Sequence, residues 1–367
     1  MPETILITGG AGFIGRRVCA RLVAAGHRVR VLDSLIEQVH GGVRPDLPCV
    51  ELIHADVRDA EAVRVAVKGA DSVVHLAAEV GVGQSMYAVE RYVSVNEVGT
   101  AVLFEALIKH PVRRVVTASS MSIYGEGLYR DADGTLVETA ERAPRLDGHG
   151  WNPTDARGRP LTPVATPEWK RPSLASVYAL GKYAQERLTL TLTSAYAMEG
   201  VALRLFNVYG PGQALSNPYT GVLAIFASRL LNGQRPMIFE DGEQRRDFVN
   251  VEDVAAAFEA ALFTPGVSGH VLNIGSGNER TIASVAHDLA HAMGRPDLTP
   301  IVAGKARVGD IRHCFGDASL AADKLGWRAE ADWATGLAEL AGWVASQTAD
   351  DRVDQAKAEL EARGLVA

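Results

Sequence analysis

Along the first two hundred residues, short β-branched runs alternate with segments whose apolar positions recur at helical spacing. "ILIT" (5–8) runs into a helix from about Phe13 to Ala25, and "RVRVLD" (28–33) follows as a second strand. "CVELIHAD" (49–56) leads into helical "RDAEAVRVAVKG", and "DSVVHLAA" (71–78) into a long helical stretch around 85–109. "VRRVVTASS" (112–120) and "GVALRLFNVYG" (200–210) read as a fifth and a sixth strand. Strands that alternate with helices and carry apolar residues on both faces predict an α/β protein with a doubly wound parallel sheet. Past about residue 210 the beat loosens, and short strands in "PMIFE" and "HVLNIG" sit among helices, as in a smaller C-terminal α+β lobe.

This pattern assigns 1–207 to the sheet domain, with a return of the chain at about 250–277. It assigns 208–249 and 278–345 to the smaller lobe, and 346–367 to a peripheral C-terminal helix. One stretch breaks the rhythm. Residues 126–173 are rich in Gly, Pro, Arg and Asp and read as an inserted surface excursion of the kind that is functional or disordered.

Composition narrows the function classes. The 367 residues are 47% apolar and 22% charged, ordinary for a soluble globular chain. The net charge of −7 does not invite nucleic acid or an anionic membrane. Cys19, Cys49 and Cys314 are odd in number and widely spaced, which fits a reducing cytoplasm better than disulfides or zinc. No apolar run reaches the roughly 18 residues of a membrane helix, and with Ile5 already in the first strand no N-terminal signal is expected. His149 and Trp151 are expected to be structural or solvent-facing, and no metal site is assigned.

Two motifs carry candidate chemistry. "TGGAGFIG" places Gly9, Gly12 and Gly15 between the first strand and a helix. In that context Gly9 permits a tight turn, Gly12 lets backbone approach a pyrophosphate, and Gly15 lets helix and strand pack closely, the pattern of a dinucleotide-binding Rossmann sheet. A merely tight turn is the plainer alternative. Asp33 ends the second strand, where a carboxylate accepts hydrogen bonds from the adenosine ribose and repels a 2′-phosphate, favouring NAD over NADP. Asp56, ending the third strand, is placed to reach the adenine edge. The second motif is Tyr178-Ala-Leu-Gly-Lys182, whose spacing puts both functional side chains on one helix face. A phenol is a poor base at neutral pH, and a neighbouring ammonium favours its phenolate. Ser119, Ser120 and Ser122 cluster where strand ends open into the ligand crevice of such a sheet, and Ser120 can relay a proton.

In order, the glycines with Asp33, "HLAA" (75–78), "SVN" to Asn96, "SSMSIYG" (119–125), Tyr178/Lys182 and "LRLFNVYGPGQ" (203–213) make the chain resemble the extended short-chain dehydrogenase/reductase family, in its nucleotide-sugar epimerase branch, over residues 3–345. The resemblance implies Ser120, Tyr178 and Lys182 as catalytic residues. It implies NAD contacts at Gly9, Gly12, Phe13, Ile14, Gly15, Asp33, Asp56, Val57, Leu76, Ala77, Ala78 and Asn96, besides Tyr178 and Lys182. The implied substrate contacts are Ser120, Ser122, Asn207, Val222, Met237, Ile238, Phe239, Arg246, Arg307 and Asp310, with Asn207 and the arginines on the diphosphate and "PMIF" on the base. A homodimer through the Tyr178 helix and the 85–109 stretch is also implied.

Departures from the family pattern matter as much. Sugar 4,6-dehydratases of the family carry Asp-Glu directly after the catalytic Ser or Thr, and the related decarboxylases place a Glu there; Met121 and Ser122 stand at these positions here. Reversible oxidation and reduction at one carbon, epimerisation at C4, is what this leaves. The segment after "GPGQ" and the 58-residue separation of Ser120 from Tyr178 resemble the dTDP-L-rhamnose 4-epimerase-like members more than UDP-galactose 4-epimerases. A reductase, dehydrogenase or decarboxylase on the same fold, epimerisation at another carbon and a non-catalytic NAD-binding protein stay open.

Overall fold

The computed structural model describes residues 2–138, 150–217, 219, 221–306, 310–348, 351 and 353–366. Five strands, β1 (Thr4–Thr8), β2 (Arg28–Asp33), β3 (Val50–His54), β4 (Ser72–His75) and β5 (Arg114–Ser120), join Glu199–Leu205 and Val271–Ile274 in one seven-stranded sheet. From one edge the order is Val271–Ile274, Glu199–Leu205, β5, β4, β1, β2, β3, and every pairing is parallel.

Residues of β1 and β5 are buried on both faces, which is why neither strand alternates between apolar and polar positions, and the polar residues of β5 are buried with the rest. Ile5, Ile7, Val31 and Val116 point into one core with α1 (Phe13–Ala24) and the helix Val251–Phe263. Leu6, Leu32, Val73 and Val115 point into the opposite core, which includes residues of the helices Ala60–Val67 and Gly99–Lys109. The chain leaves β1 outward through β2 and β3, then restarts on the other side at β4. That reversal opens a crevice at the carboxyl ends of β1 and β4.

A third core holds the smaller lobe together. Phe226, Leu230, Ile238, Phe248, Leu289, Leu340 and Val344 meet there, on the helices Val222–Leu231, Ile282–Ala292 and Trp333–Ala345 and the strands beside them.

The structure departs from the sequence reading in four places. "GVALRLFNVYG" is two strands: Glu199–Leu205 stays in the main sheet, while Asn207–Tyr209 pairs with Arg245–Asn250 in the second lobe. The chain changes sheets at Phe206, whose N–H reaches the carbonyl of Ile274; no glycine or proline announces the switch. The 85–109 stretch is broken into Val82–Ser85, Val89–Val93, a π-helical turn at Ser94–Val98, and Gly99–Lys109.

The third departure is the insert, which is no mere surface excursion in its described parts. Leu128–Arg130, Leu136–Val137 and Thr162–Val164 form a small antiparallel sheet, and Leu128, Tyr129, Leu161, Thr166 and Lys170 are buried. It is tied to the rest by Glu126, which accepts the N–H groups of Arg312 and His313, and by Asn152, which accepts from the Arg312 guanidinium. Trp151 is half-buried, and His149 lies outside the described residues. Fourth, the terminal helix Val353–Ala362 is docked rather than peripheral. Ala356 and Leu360 are buried, and Glu359 accepts from Tyr87 and Tyr219.

Candidate active site

The β1–α1 turn is closed so tightly that side chains have no room. Gly9 has φ +72°, and a Cβ there would stand 2.7 Å from the backbone nitrogen of Ala77; one on Gly15 would stand 2.5 Å from the carbonyl oxygen of Gly9. Gly12 is the N-cap of α1 and brings no side-chain cap to it, so the N–H groups of the first turn are offered to an anion. At the end of β2 the buried Asp33 carboxylate accepts the N–H groups of Ala11 and Leu35, both at 2.9 Å, which fixes it against the turn. Asp56 is gripped by the Arg58 guanidinium at 2.7 and 2.9 Å, and that bond holds its carboxyl below the usual range.

A cavity of about 660 Å³ runs along this crevice. Its walls include Gly9, Gly12, Phe13, Ile14, Gly15, Asp33, Asp56, Val57, Leu76, Ala77 and Ala78, and also Ser120, Tyr178 and Lys182. The glycine turn and the Tyr178 helix thus share one cavity although 163 residues separate Gly15 from Tyr178 in the chain. A glycine-floored turn, an uncapped helix end and a ribose-height carboxylate in one elongated cavity are the groups a dinucleotide needs, and the residues present fit NAD.

At the far end, the helix Val177–Ala195 starts where Ser176 accepts the N–H of Ala179. Tyr178 and Lys182 therefore leave its first two turns toward the cavity. Ser120 is the last residue of β5. Its hydroxyl oxygen accepts both the N–H (3.2 Å) and the O–H (2.9 Å) of Ser122, and its own hydrogen bond goes to Tyr178. Burial raises the Tyr178 phenol, and the Ser120 bond opposes that rise. Burial pulls the Lys182 ammonium down to about 7, against the pull of Glu186.

Several sequence-derived candidates lie away from these walls. Asn96 is fully buried and clamps Glu79, accepting its N–H at 2.7 Å and donating to its carbonyl at 3.1 Å. Ser122 meets the cavity only through Ser120. Ile238, expected against a nucleotide base, is 1% exposed in the core of the second lobe. Val222 packs on the same core, and the half-buried Met237 pairs with Ile301. The carbonyl of Phe239 accepts from Gln244. The Arg246 guanidinium is turned onto the carbonyls of Arg245, Ile311 and Arg312. Asn207 keeps a buried side-chain oxygen without a partner, and Asp310 is half-buried beside Ile311. Arg307 lies outside the described residues.

Other wall residues carried no sequence signal. Glu79, Gln38, Arg91 and Asn217 line the cavity, with Arg91 bonded to Glu79 at 2.6 Å and to Gln38 at 3.0 Å, and Gln38 to Asn217 at 3.1 Å. They come from four separate segments, and none sits in a recognisable spacing.

A family model described as the NAD dependent epimerase/dehydratase family matches residues 5–145 and 159–275. The chain belongs to this family. It is 39% identical over 354 residues to a dTDP-L-rhamnose 4-epimerase of Burkholderia thailandensis, covering 94% of this chain and 96% of that protein. Among solved structures it is similar to a Thermus thermophilus UDP-glucose 4-epimerase in complex with NAD, at 30% identity and TM-score 0.74, covering 94% of this chain and all of that one. It is also similar to a UDP-N-acetylglucosamine 4-epimerase of Methanobrevibacter ruminantium in complex with UDP-N-acetylmuramic acid, at 28% identity and TM-score 0.77, covering 95% and 99%. This epimerase-family enzyme is thus NAD-dependent and built on the extended short-chain dehydrogenase/reductase fold.

Proposed function

We propose that the protein epimerises a nucleotide sugar at C4 through a transient 4-keto sugar, on a dTDP- or UDP-linked hexose or deoxyhexose. The observation that carries this is Tyr178, hydrogen-bonded to Ser120 and one turn before Lys182, on the cavity that the glycine turn and Asp33 begin. NAD, when bound, supplies the acceptor and later the donor of the hydride. Asp33 takes the adenosine ribose, and the first turn of α1 takes the pyrophosphate. Lys182 donates to the nicotinamide ribose and favours the phenolate. Tyr178 removes the C4 hydroxyl proton, directly or by way of Ser120, and returns it to the C4 oxygen once the keto sugar has turned about its diphosphate and presents its other face for reduction.

Ser122 supports the reading in a second way. Its two donors occupy the acceptor side of Ser120, which leaves the Ser120 proton for Tyr178 or the sugar oxygen. Neither Met121 nor Ser122 can act as the acid or base that elimination of water requires. Asn207, whose side-chain NH₂ can donate to a phosphate oxygen, and Arg307 are assigned to the diphosphate end, and Arg246 joins them only by leaving its backbone carbonyls.

The enzyme is a homodimer in this proposal. The exposed Val98 and Leu180, on the π-turn and on the helix that packs against it, put apolar side chains on the surface expected to pair. Its three free cysteines suit the cytoplasm.

The test is a panel of dTDP- and UDP-sugars followed by NMR at C4, with the NAD content of the denatured protein counted in parallel. Interconversion without added cofactor, and about one NAD per chain, is expected. Stoichiometric consumption of external NAD(H) would instead make it a reductase or dehydrogenase.

A further inference from the structure

Lys182 is buried, 3% exposed, in a part of the protein that holds several carboxylates, yet none of them neutralises it. Glu186, on the same helix, is taken by Arg204 at 2.8 and 2.9 Å and by Ser119 at 2.7 Å. Glu79, on the cavity wall, is taken by Arg91. The ammonium donates instead to the side-chain oxygen of Gln185, at 2.7 Å.

The Gln185 amide is fully buried and its orientation is fixed by its surroundings. Its NH₂ group lies 3.2 Å from the carbonyl of Ala77, 3.0 Å from the hydroxyl of Thr100 and 3.1 Å from Nε2 of His75. A carbonyl only accepts and an ammonium only donates, so the amide oxygen must face Lys182. The clamp is anchored in turn: Thr100 donates to the carbonyl of Asn96 at 2.6 Å, and Nδ1 of His75 meets the hydroxyl of Thr8 at 2.7 Å. His75 adds no charge, because burial and the nearby Lys182 hold it down to about 3. Around Lys182 stand the engaged Glu186 of its own helix and the neutral His75 of β4, and Tyr178 lines the same cavity one turn earlier.

The geometry points to Gln185 as a positioning residue: it holds the Lys182 ammonium with an uncharged oxygen, so that the positive charge stays available to Tyr178. A carboxylate in its place would cancel the field of the ammonium. An apolar side chain would leave the ammonium short of a partner in a dry site, and it would shed its proton at lower pH. Either change makes the Tyr178 phenolate harder to form. This rests on the reading of Tyr178 as the base.

The experiment uses NAD-loaded wild-type protein, Gln185→Met and Gln185→Glu, with Tyr178→Phe as the spectral baseline. Ultraviolet difference titration reads the ionisation of Tyr178 without any sugar present. We expect its midpoint to rise by about one pH unit or more in both variants. The acid limb of the kcat profile should move with it, while KM stays within about threefold because Gln185 does not touch substrate. An unmoved midpoint in either variant that folds and retains NAD overturns the proposal, even if its thermal stability has dropped. If the wild type turns over no sugar of the panel, the epimerase reading fails, and the midpoint still decides the role of Gln185.

Discussion

Tyr178 owes its place to two kinds of proximity. Lys182 comes from the four-residue spacing of a helix; Ser120 comes from a strand that folding sets beside that helix. Replacing Tyr178 with Phe removes the proton acceptor and leaves the ring. Turnover should fall by about 10²–10⁴-fold while NAD content, read after heat release, stays unchanged. Asp33 acts through its charge. Asp33→Asn removes the repulsion of a 2′-phosphate, and the preference for NAD over NADP, measured as a ratio of dissociation constants, should fall by roughly tenfold or more.

Lys182 also leaves a mark on stability. Its ammonium is pulled from 10.5 to about 7 by burial in the cofactor-free protein. Below about 7 both folded and unfolded chains carry the proton, and the folded state bears the cost of burying it. Between about 7 and 10.5 the unfolded chain holds the proton and the folded one does not, so stability from this group rises with pH. Thermal melts of the cofactor-free protein across this window should show that rise, and Lys182→Met should flatten it.

At the scale of elements, the helix Val177–Ala195 is fastened to the sheet by polar contacts that the sequence does not advertise. Glu186 and Arg204 form a buried pair, Ser119 donates to the same carboxylate, and Thr117 and Thr189 meet at 2.7 Å. Arg204→Met leaves a buried carboxylate without its partner. A destabilisation of about 3–5 kcal/mol is expected, visible as a lower melting temperature. The elements that could be read along the chain, β1 to β5 and α1, are those whose periodicity is local and whose burial is two-sided. The sheet change at Phe206 and the breaks in 85–109 could not be read, because what decides them is which partner strand or core lies alongside. The π-turn at Ser94–Val98 is an example: it accompanies a buried Asn96 that clamps Glu79, a contact set by the opposite wall.

At the scale of the molecule, the smaller lobe, the insert and the terminal helix are knit to one another and to the sheet domain. Arg312, 1% exposed, binds Glu240 and Asp241 of the lobe and Asn152 of the insert, so the long excursion is stitched into the lobe it borders. The proposed dimer has its own test. Leu180→Glu places a charge on the surface expected to pair and should convert the protein to a monomer in sedimentation, with each chain still holding NAD.

The succession of strands and helices from β1 to β5, the glycine turn, Asp33 and the Tyr178–Lys182 pair could be read from residues alone. Each depends on a spacing of a few residues and on local backbone geometry, which sequence determines directly. Also legible was what is missing, the carboxylates absent at Met121 and Ser122. Tertiary structure alone decided that Ile238 belongs to a core, that Arg246 is turned onto backbone carbonyls, that Asn96 supports Glu79, and that Gln185 stands behind Lys182. Those outcomes depend on which distant segments share a small volume, and on hydrogen bonds that burial makes obligatory. A glutamine in a helix looks the same along the chain whether it faces water or an ammonium.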